Sequence, residues 1–251
     1  MGEEEQQFHI RLRRGEVGRY VLMPGDPGRV PLIASHLDGA AEVAHNREFL
    51  TYTGTLDGVR VSVMSTGIGS PSTAIAAEEL IAIGADTLIR VGTAGSIAKD
   101  LRTGDLVIAQ ASVRDEGTSP AYVPPIFPSI ANLEVVTALI DAAKSAGHRY
   151  RAGIIRSSDS FYGDVAPDTI PYHQYPMSIW QRSGVLASEM EASTLFVIAW
   201  LRNVRAGAIA AVVNATEESI DTGQVVSLSL EPLIQTAIEG VRRLIRSDQG
   251  E

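Results

Sequence analysis

Four junctions in the chain carry residue types that could hold a small anion and a hydroxylated ligand. Met23-Pro24-Gly25-Asp26-Pro27-Gly28-Arg29 follows a short apolar run; its glycines let backbone N–H groups approach an anion, and Arg29 offers a charged fork. Equally, this is the composition of an ordinary Pro/Gly turn with a surface arginine. Ser65-Thr66-Gly67-Ile68-Gly69-Ser70-Pro71-Ser72 reads as a strand-to-helix connection with Ser72 as helix cap, and it matches neither a Walker loop nor G-x-G-x-x-G. Arg90-Val91-Gly92-Thr93-Ala94-Gly95-Ser96 closes an apolar strand. An arginine there is costly without an anionic partner, so Arg90 points to a buried carboxylate or to a bound anion, while Thr93 adds a hydroxyl and the glycines let a flat ring lie close. Glu189-Met190-Glu191 enters an apolar helix; the acids either complement its dipole or accept sugar hydroxyls, with Met190 as a wall.

The background against which these residues act is acidic. A formal charge of −9 over 251 residues disfavours recruitment to nucleic acid or to an anionic membrane, so any phosphate bound is small and held locally. Zero cysteines exclude disulfides, thiolate metal sites and a cysteine nucleophile. No apolar run approaches the roughly 20 residues of a membrane helix, and the charged start has no apolar stretch behind it, so a soluble, cytoplasmic protein is expected.

Short apolar runs alternating with helical patterns must position the four junctions. Strands are expected at 20–24, 59–65, 87–91, 107–109, 151–156 and 206–213, and helices at 72–83, 133–146, 192–201 and 232–245. The alternation predicts an α/β fold, one domain over 1–251, with a central mixed sheet flanked by helices on both faces. Ligands in such sheets sit beyond the carboxyl ends of the strands. Two irregular, proline-bearing stretches, 117–130 and 160–180, are expected to be binding loops or lids.

The ordered combination of GDPGR at 25–29, HNREF at 45–49, STGIGSPSTAIAAEEL at 65–80, IRVGTAGSI at 89–97, SSDSFY at 157–162 and SEMEASTL at 188–195 resembles the nucleoside phosphorylases, the family of uridine phosphorylase and the hexameric purine nucleoside phosphorylases. The resemblance implies phosphorolysis of a ribonucleoside to free base and ribose 1-phosphate, with inorganic phosphate as co-substrate and no redox cofactor. By position it makes Gly25, Arg29, Arg90 and Thr93 the phosphate cradle, with Arg47 supplied by a neighbouring subunit, and Arg90 and Glu191 the catalytic pair. Met190 and Glu191 hold ribose, with His9 reaching a neighbour's 5′-hydroxyl, and Ala94, Gly95, Phe161 and Asn214 face the base. It also implies a homo-oligomer of dimers, a hexamer, and a structural potassium ion at Glu48, Ile68 and Ser72.

The base-reading segment departs from its relatives. Uridine phosphorylases carry a glutamine and an arginine shortly after the Phe-Tyr pair, whereas here Phe161-Tyr162 runs into Gly163-Asp164-Val165-Ala166-Pro167. Purine members place an aspartate where this chain has Asn214-Ala215-Thr216. Uridine-type activity is favoured, with a purine nucleoside or methylthioadenosine as alternative substrate, and a hydrolytic nucleosidase or a non-catalytic nucleoside-binding protein as alternative classes. The missing pair predicts looser base selection unless a substitute donor such as His173 or Gln174 arrives. Arg90→Ala is expected to abolish turnover while sparing the fold.

Overall fold

The computed structural model describes residues 6–165, 175–213 and 228–250. Nine strands form one mixed sheet: β1 (Tyr20–Met23), β2 (Asp38–Asn46), β3 (Phe49–Leu56), β4 (Val59–Met64), β5 (Thr87–Ser96), β6 (Leu106–Asp115), β7 (Tyr150–Ser158), β8 (Ala187–Glu189) and β9 (Arg205–Val212). Among the described residues seven α-helices accompany them: α1 (Val30–Ala34), α2 (Ser70–Ala82), α3 (Leu133–Ala146), α4 (Phe161–Val165), α5 (Met177–Arg182), α6 (Ala192–Arg202) and α7 (Glu231–Gln249). The strand order is β2-β3-β4-β1-β5-β8-β7-β6-β9, and β9 also pairs with β5.

That extra pairing shapes the molecule. The first eight residues of β5, Thr87 to Ala94, run parallel to β9, whereas Gly95 and Ser96 pair antiparallel with Ser188 and Ala187 of β8. Strand β5 therefore changes partner near its carboxyl end, where the sheet opens between β9 and β8. The expected α/β architecture holds, with α2 packed on α6 and α3 on α7.

Each expected strand and helix is present, α3 with the expected ends and the others with shifted ones. The largest extension is β6, expected at 107–109 and running from Leu106 to Asp115; β5, expected to stop at Val91, runs to Ser96 because β9 and then β8 complete its ladder in spite of two glycines. Helix α2 starts at Ser70 with Gly69 as its N-cap at φ 97°, so Ser72 lies inside the first turn and does not cap it. Strands β2, β3 and the short β8 have no counterpart in the sequence reading. Strand β2 lacks an apolar face altogether, its residues being exposed or half-buried throughout, and it is held by backbone pairing to β3. The core is aliphatic and centred on β1, β4, β5 and β9 with the inner half of α6, buried from Ala192 to Ala199. Among the described residues no helix is long and apolar enough to cross a membrane.

Candidate active site

Arg90 is the hub. It stands on β5 one residue before Val91, and its guanidinium folds back along the strand towards the carboxyl end, over Gly92. A β-carbon at 92 would lie 3.0 Å from the guanidinium carbon, so a side chain there would collide with the group it lies beside. Nε donates to Glu189 Oε2 at 2.7 Å, and Nη2 donates to Glu191 Oε2. All three side chains are almost wholly buried. Nη1 is buried too, with no hydrogen-bond partner among the described residues, and it faces Gly25. The two readings that Arg90 left open thus meet at one residue: two nitrogens serve carboxylates, and the third is turned toward the glycine turn where an anion was expected.

Two carboxylates share this arginine, and their surroundings differ. Glu189 caps α6, accepting the N–H groups of Glu191 at 2.9 Å and Ala192 at 3.1 Å, and it also takes the Ser157 hydroxyl. Ser157 in turn accepts from Ser193 N–H and pairs with the Ser112 hydroxyl at 2.8 Å. Glu191 accepts Gly69 N–H at 2.6 Å, just before the start of α2, where the helix dipole favours a negative charge. Burial pushes Glu191 up to about 7, with Arg90 pulling against it and Glu189 adding to it. Burial also opposes the charge of Arg90, but Glu191 and Glu189 outweigh it and hold its pKa above the ordinary arginine value.

The turn before α1 brings a second cation. Asp26 caps the 3-10 turn Pro27–Arg29 by accepting Gly28 N–H at 2.8 Å. Arg29 Nε lies 3.8 Å from Asp26 Oδ2, and its side chain is only 23% exposed. Burial, against the help of Asp26 and aided by the like charge of Arg90, holds the Arg29 guanidinium below its ordinary value. Gly25, Arg29 and Arg90 therefore converge, with the two guanidiniums close enough to disfavour each other's charge, a repulsion that an inorganic anion between them would relieve. Thr93 is half-buried and alternates to the opposite face of β5 from Arg90. A ligand meeting both must lie across the carboxyl end of the strand.

The other expected residues divide into two groups. Met190 follows Glu189, and its carbonyl accepts the Ser70 hydroxyl at 3.0 Å. Ala94 and Gly95 end β5, with open space where a Gly95 β-carbon would stand, and Phe161 opens α4, 46% exposed and edge-on to Tyr162. Asn214, His173 and Gln174 lie outside the described residues.

The second group makes no hydrogen bond to Arg90 among the described residues, although its Glu48 and Ser72 line Gly67, whose carbonyl lies beside Gly25. His9 Nδ1 is 2.6 Å from Glu79 Oε1, its carbonyl accepts Asn46 Nδ2, and Arg47 occupies the exposed tip of the β2–β3 hairpin at φ 54°. Glu48 Oε1 is 2.8 Å from Ser72 Oγ, which also contacts the Thr66 carbonyl. Its own backbone N–H and Ser72 hold Glu48 below the usual carboxylate range. Neither His9 nor Arg47 reaches the Arg90 cluster within one chain. Sequence reasoning missed Glu189 as an Arg90 ligand, having offered only a dipole role, and missed the serine layer behind it. The SSDSFY and SEMEASTL segments held both.

Comparison with known proteins places this geometry. The family model described as "Phosphorylase superfamily" matches residues 19–245. The chain belongs to the phosphorylase superfamily. Among curated members it is 44% identical over 246 residues to a uridine phosphorylase of Treponema pallidum, covering 96% of this chain and 95% of that one. A uridine phosphorylase of Thermococcus kodakarensis is 51% identical over 217 residues, 84% of this chain and 78% of its own. A guanosine phosphorylase of Halorubrum lacusprofundi is 38% identical over 207 residues, 82% and 83% respectively. In structure, a uridine phosphorylase of Vibrio fischeri superposes with a TM-score of 0.84 at 30% identity, covering 98% of this chain and 100% of the other.

Proposed function

We propose that this protein is a nucleoside phosphorylase of the uridine type, cleaving a ribonucleoside with inorganic phosphate. The observation that carries the reading is the buried Arg90 cluster: a guanidinium shared by Glu189 and Glu191, with one nitrogen facing Gly25 beside a second, half-buried cation, Arg29. A hydrolase activating water would have no use for two cations brought together at such electrostatic cost.

In this scheme Gly25, Arg29, Arg90 and Thr93 hold phosphate beneath C1′, and ionised Glu191 accepts a ribose hydroxyl beside Met190. The base stacks on Phe161 over Ala94 and Gly95. As the C1′–N bond breaks, its electron pair leaves with the base and positive charge builds on the ribose ring. A phosphate oxygen, already positioned, stabilises that charge and forms the C1′–O bond, giving ribose 1-phosphate and a base anion that takes a proton. The scheme calls on no redox cofactor.

His9 and Arg47 enter through assembly. Both lie near the β2–β3 edge and away from the Arg90 cluster of their own chain, which suits residues that complete a neighbour's site in a homohexamer of dimers. Glu48 Oε1, Ser72 Oγ and the Thr66 carbonyl converge with one hydroxyl proton among them, an all-oxygen set that fits a potassium ion together with the Ile68 carbonyl. The working compartment of such an enzyme is the cytoplasm. A second reading, a 6-oxopurine nucleoside as substrate, is favoured by the similarity to a guanosine phosphorylase. Released base, measured across a nucleoside panel with and without phosphate, tests the proposal. Phosphate-dependent cleavage of uridine supports it, and phosphate-independent cleavage or none defeats it.

A further inference from the structure

Behind the Arg90 cluster lies a serine that no ligand can touch. Ser157 is wholly buried at the end of β7, where the parallel register with β8 sets it opposite Glu189. Directly opposed residues share a face of the sheet, so the Ser157 hydroxyl meets the Glu189 carboxylate. Its single proton goes to Glu189 Oε1. Its lone pairs take Ser193 N–H at 2.9 Å, from the first turn of α6, and the Ser112 hydroxyl of β6 at 2.8 Å. A hydroxyl has one proton and two lone pairs, so the whole bonding capacity of Ser157 is used and Ser112 is the donor in that pair.

The donated bond decides how Glu189 is turned. Oε2 accepts Arg90 Nε at 2.7 Å and Glu191 N–H at 2.9 Å, whereas Ala192 N–H stands 3.1 Å from both oxygens and favours neither. Among the described residues Ser157 is thus the donor that belongs to Oε1 alone. The terminal torsion of a glutamate is soft, so without that bond the carboxylate can rotate and draw Arg90 Nε with it. A guanidinium is a rigid plane; turning it at Nε swings Nη1, the buried nitrogen that faces Gly25, off its line. Capping α6 does not require this bond, since a cap needs only an acceptor and Ser157 gives Glu189 a proton as well.

We propose that Ser157 is a positioning residue for phosphate: its hydroxyl fixes the rotation of Glu189, Glu189 fixes the plane of Arg90, and Arg90 is thereby aimed at the anion beside Gly25 and Arg29. The inference rests on the reading of Arg90 as a phosphate ligand given above. Ser157 itself never meets the substrate; it acts through two side chains that are themselves buried. A misplacement on the order of 1 Å in an active site can cost about a hundredfold in rate, so partial loss of this alignment costs about tenfold in phosphate affinity.

The test compares the intact protein with Ser157→Ala, Ser157→Cys and, as a control for helix packing, Ser193→Ala. The control loses a buried bond from the same turn of α6, Ser193 Oγ to Glu116 Oε1 at 2.9 Å. Inorganic phosphate is titrated by calorimetry, and KM is measured for phosphate and for uridine, each with the other saturating. Ser157→Ala weakens phosphate binding and raises the KM for phosphate about tenfold, with the KM for uridine within about threefold. Cysteine keeps nearly the size of serine but is a weak donor, so Ser157→Cys falls between, and it carries the comparison if the alanine variant folds poorly. Ser193→Ala lowers Tm yet leaves phosphate binding within about twofold. Phosphate binding unchanged in the Ser157 variants, an equal loss in Ser193→Ala, or a uridine KM that rises as far as that for phosphate overturns the proposal. An intact protein that binds phosphate but cleaves no nucleoside defeats the functional reading alone, because the calorimetric comparison still decides the role of Ser157. One that binds no phosphate overturns both.

Discussion

Replacing Arg90 by alanine separates two duties that residue type alone merges. Sequence suggests that activity goes and the fold stays, but the structure places Glu189 and Glu191 against this guanidinium with side chains only 2% and 3% exposed. Removing one partner of a buried pair costs about 3–5 kcal/mol because the remaining charge is left uncompensated. For a domain of this length that corresponds to a fall in Tm of roughly 10 °C. Part of the cost is escaped by protonation. Glu191, already raised to about 7, rises further without Arg90, so the folded variant takes up a proton that the unfolded chain does not. The loss of stability is therefore smaller near about pH 6 than near about pH 8, where both carboxylates ionise. Thermal and urea denaturation of Arg90→Ala at the two pH values measures this, beside the double variant Arg90→Met with Glu189→Gln. The double variant regains most of the stability but not the activity, since loss of a charge-assisted contact to the transition state costs on the order of a hundredfold in rate. An Arg90→Ala protein as stable as the original near pH 8, or a double variant that regains phosphorolysis, refutes the argument.

Ionised Glu191 is the form that accepts a ribose hydroxyl, so kcat/KM rises with pH through an apparent pKa of about 7, and Glu191→Gln removes that limb from a much weaker profile. The same raised pKa gives the opposite slope to stability: its contribution is present below the unfolded value of 4.5 and is lost as pH rises through about 7, and Glu191→Gln flattens the curve in denaturation experiments. Mixing inactive Arg47→Ala with inactive Glu191→Ala subunits restores part of the activity when subunits exchange, whereas a fully active monomer at assay concentration contradicts the shared site. Exchanging potassium for a bulky organic cation lowers Tm by several degrees, and Glu48→Gln abolishes the difference while leaving phosphate binding intact; equal Tm values in both salts dispose of the ion.

The framework was legible because its signals are local. Apolar runs, glycine junctions and helical spacing each report on neighbours in sequence, and they placed helix α3 at Leu133–Ala146 to the residue; the grouping of Gly25, Arg29, Arg90 and Glu191 came from the family resemblance. Strand β2 was illegible because it has no apolar face to announce it; only pairing with β3 makes it a strand. The carboxyl half of β5 was illegible because glycines argue against a strand until two partners supply its hydrogen bonds.

Sequence by itself determined the residue types and the choices they leave open: arginines beside glycines for an anion or an ion pair, a Glu-Met-Glu segment for a helix dipole or a sugar, an acidic chain without thiols. Tertiary structure decided how those groups share charge. Whether Arg90 serves a carboxylate or an anion depends on which elements arrive beside it, and the end of β8 and the start of α6 deliver Glu189 and Glu191 from about a hundred residues downstream. The pKa of Glu191 follows from that burial, since Coulomb and desolvation energies depend on distance and dielectric, which no local pattern encodes.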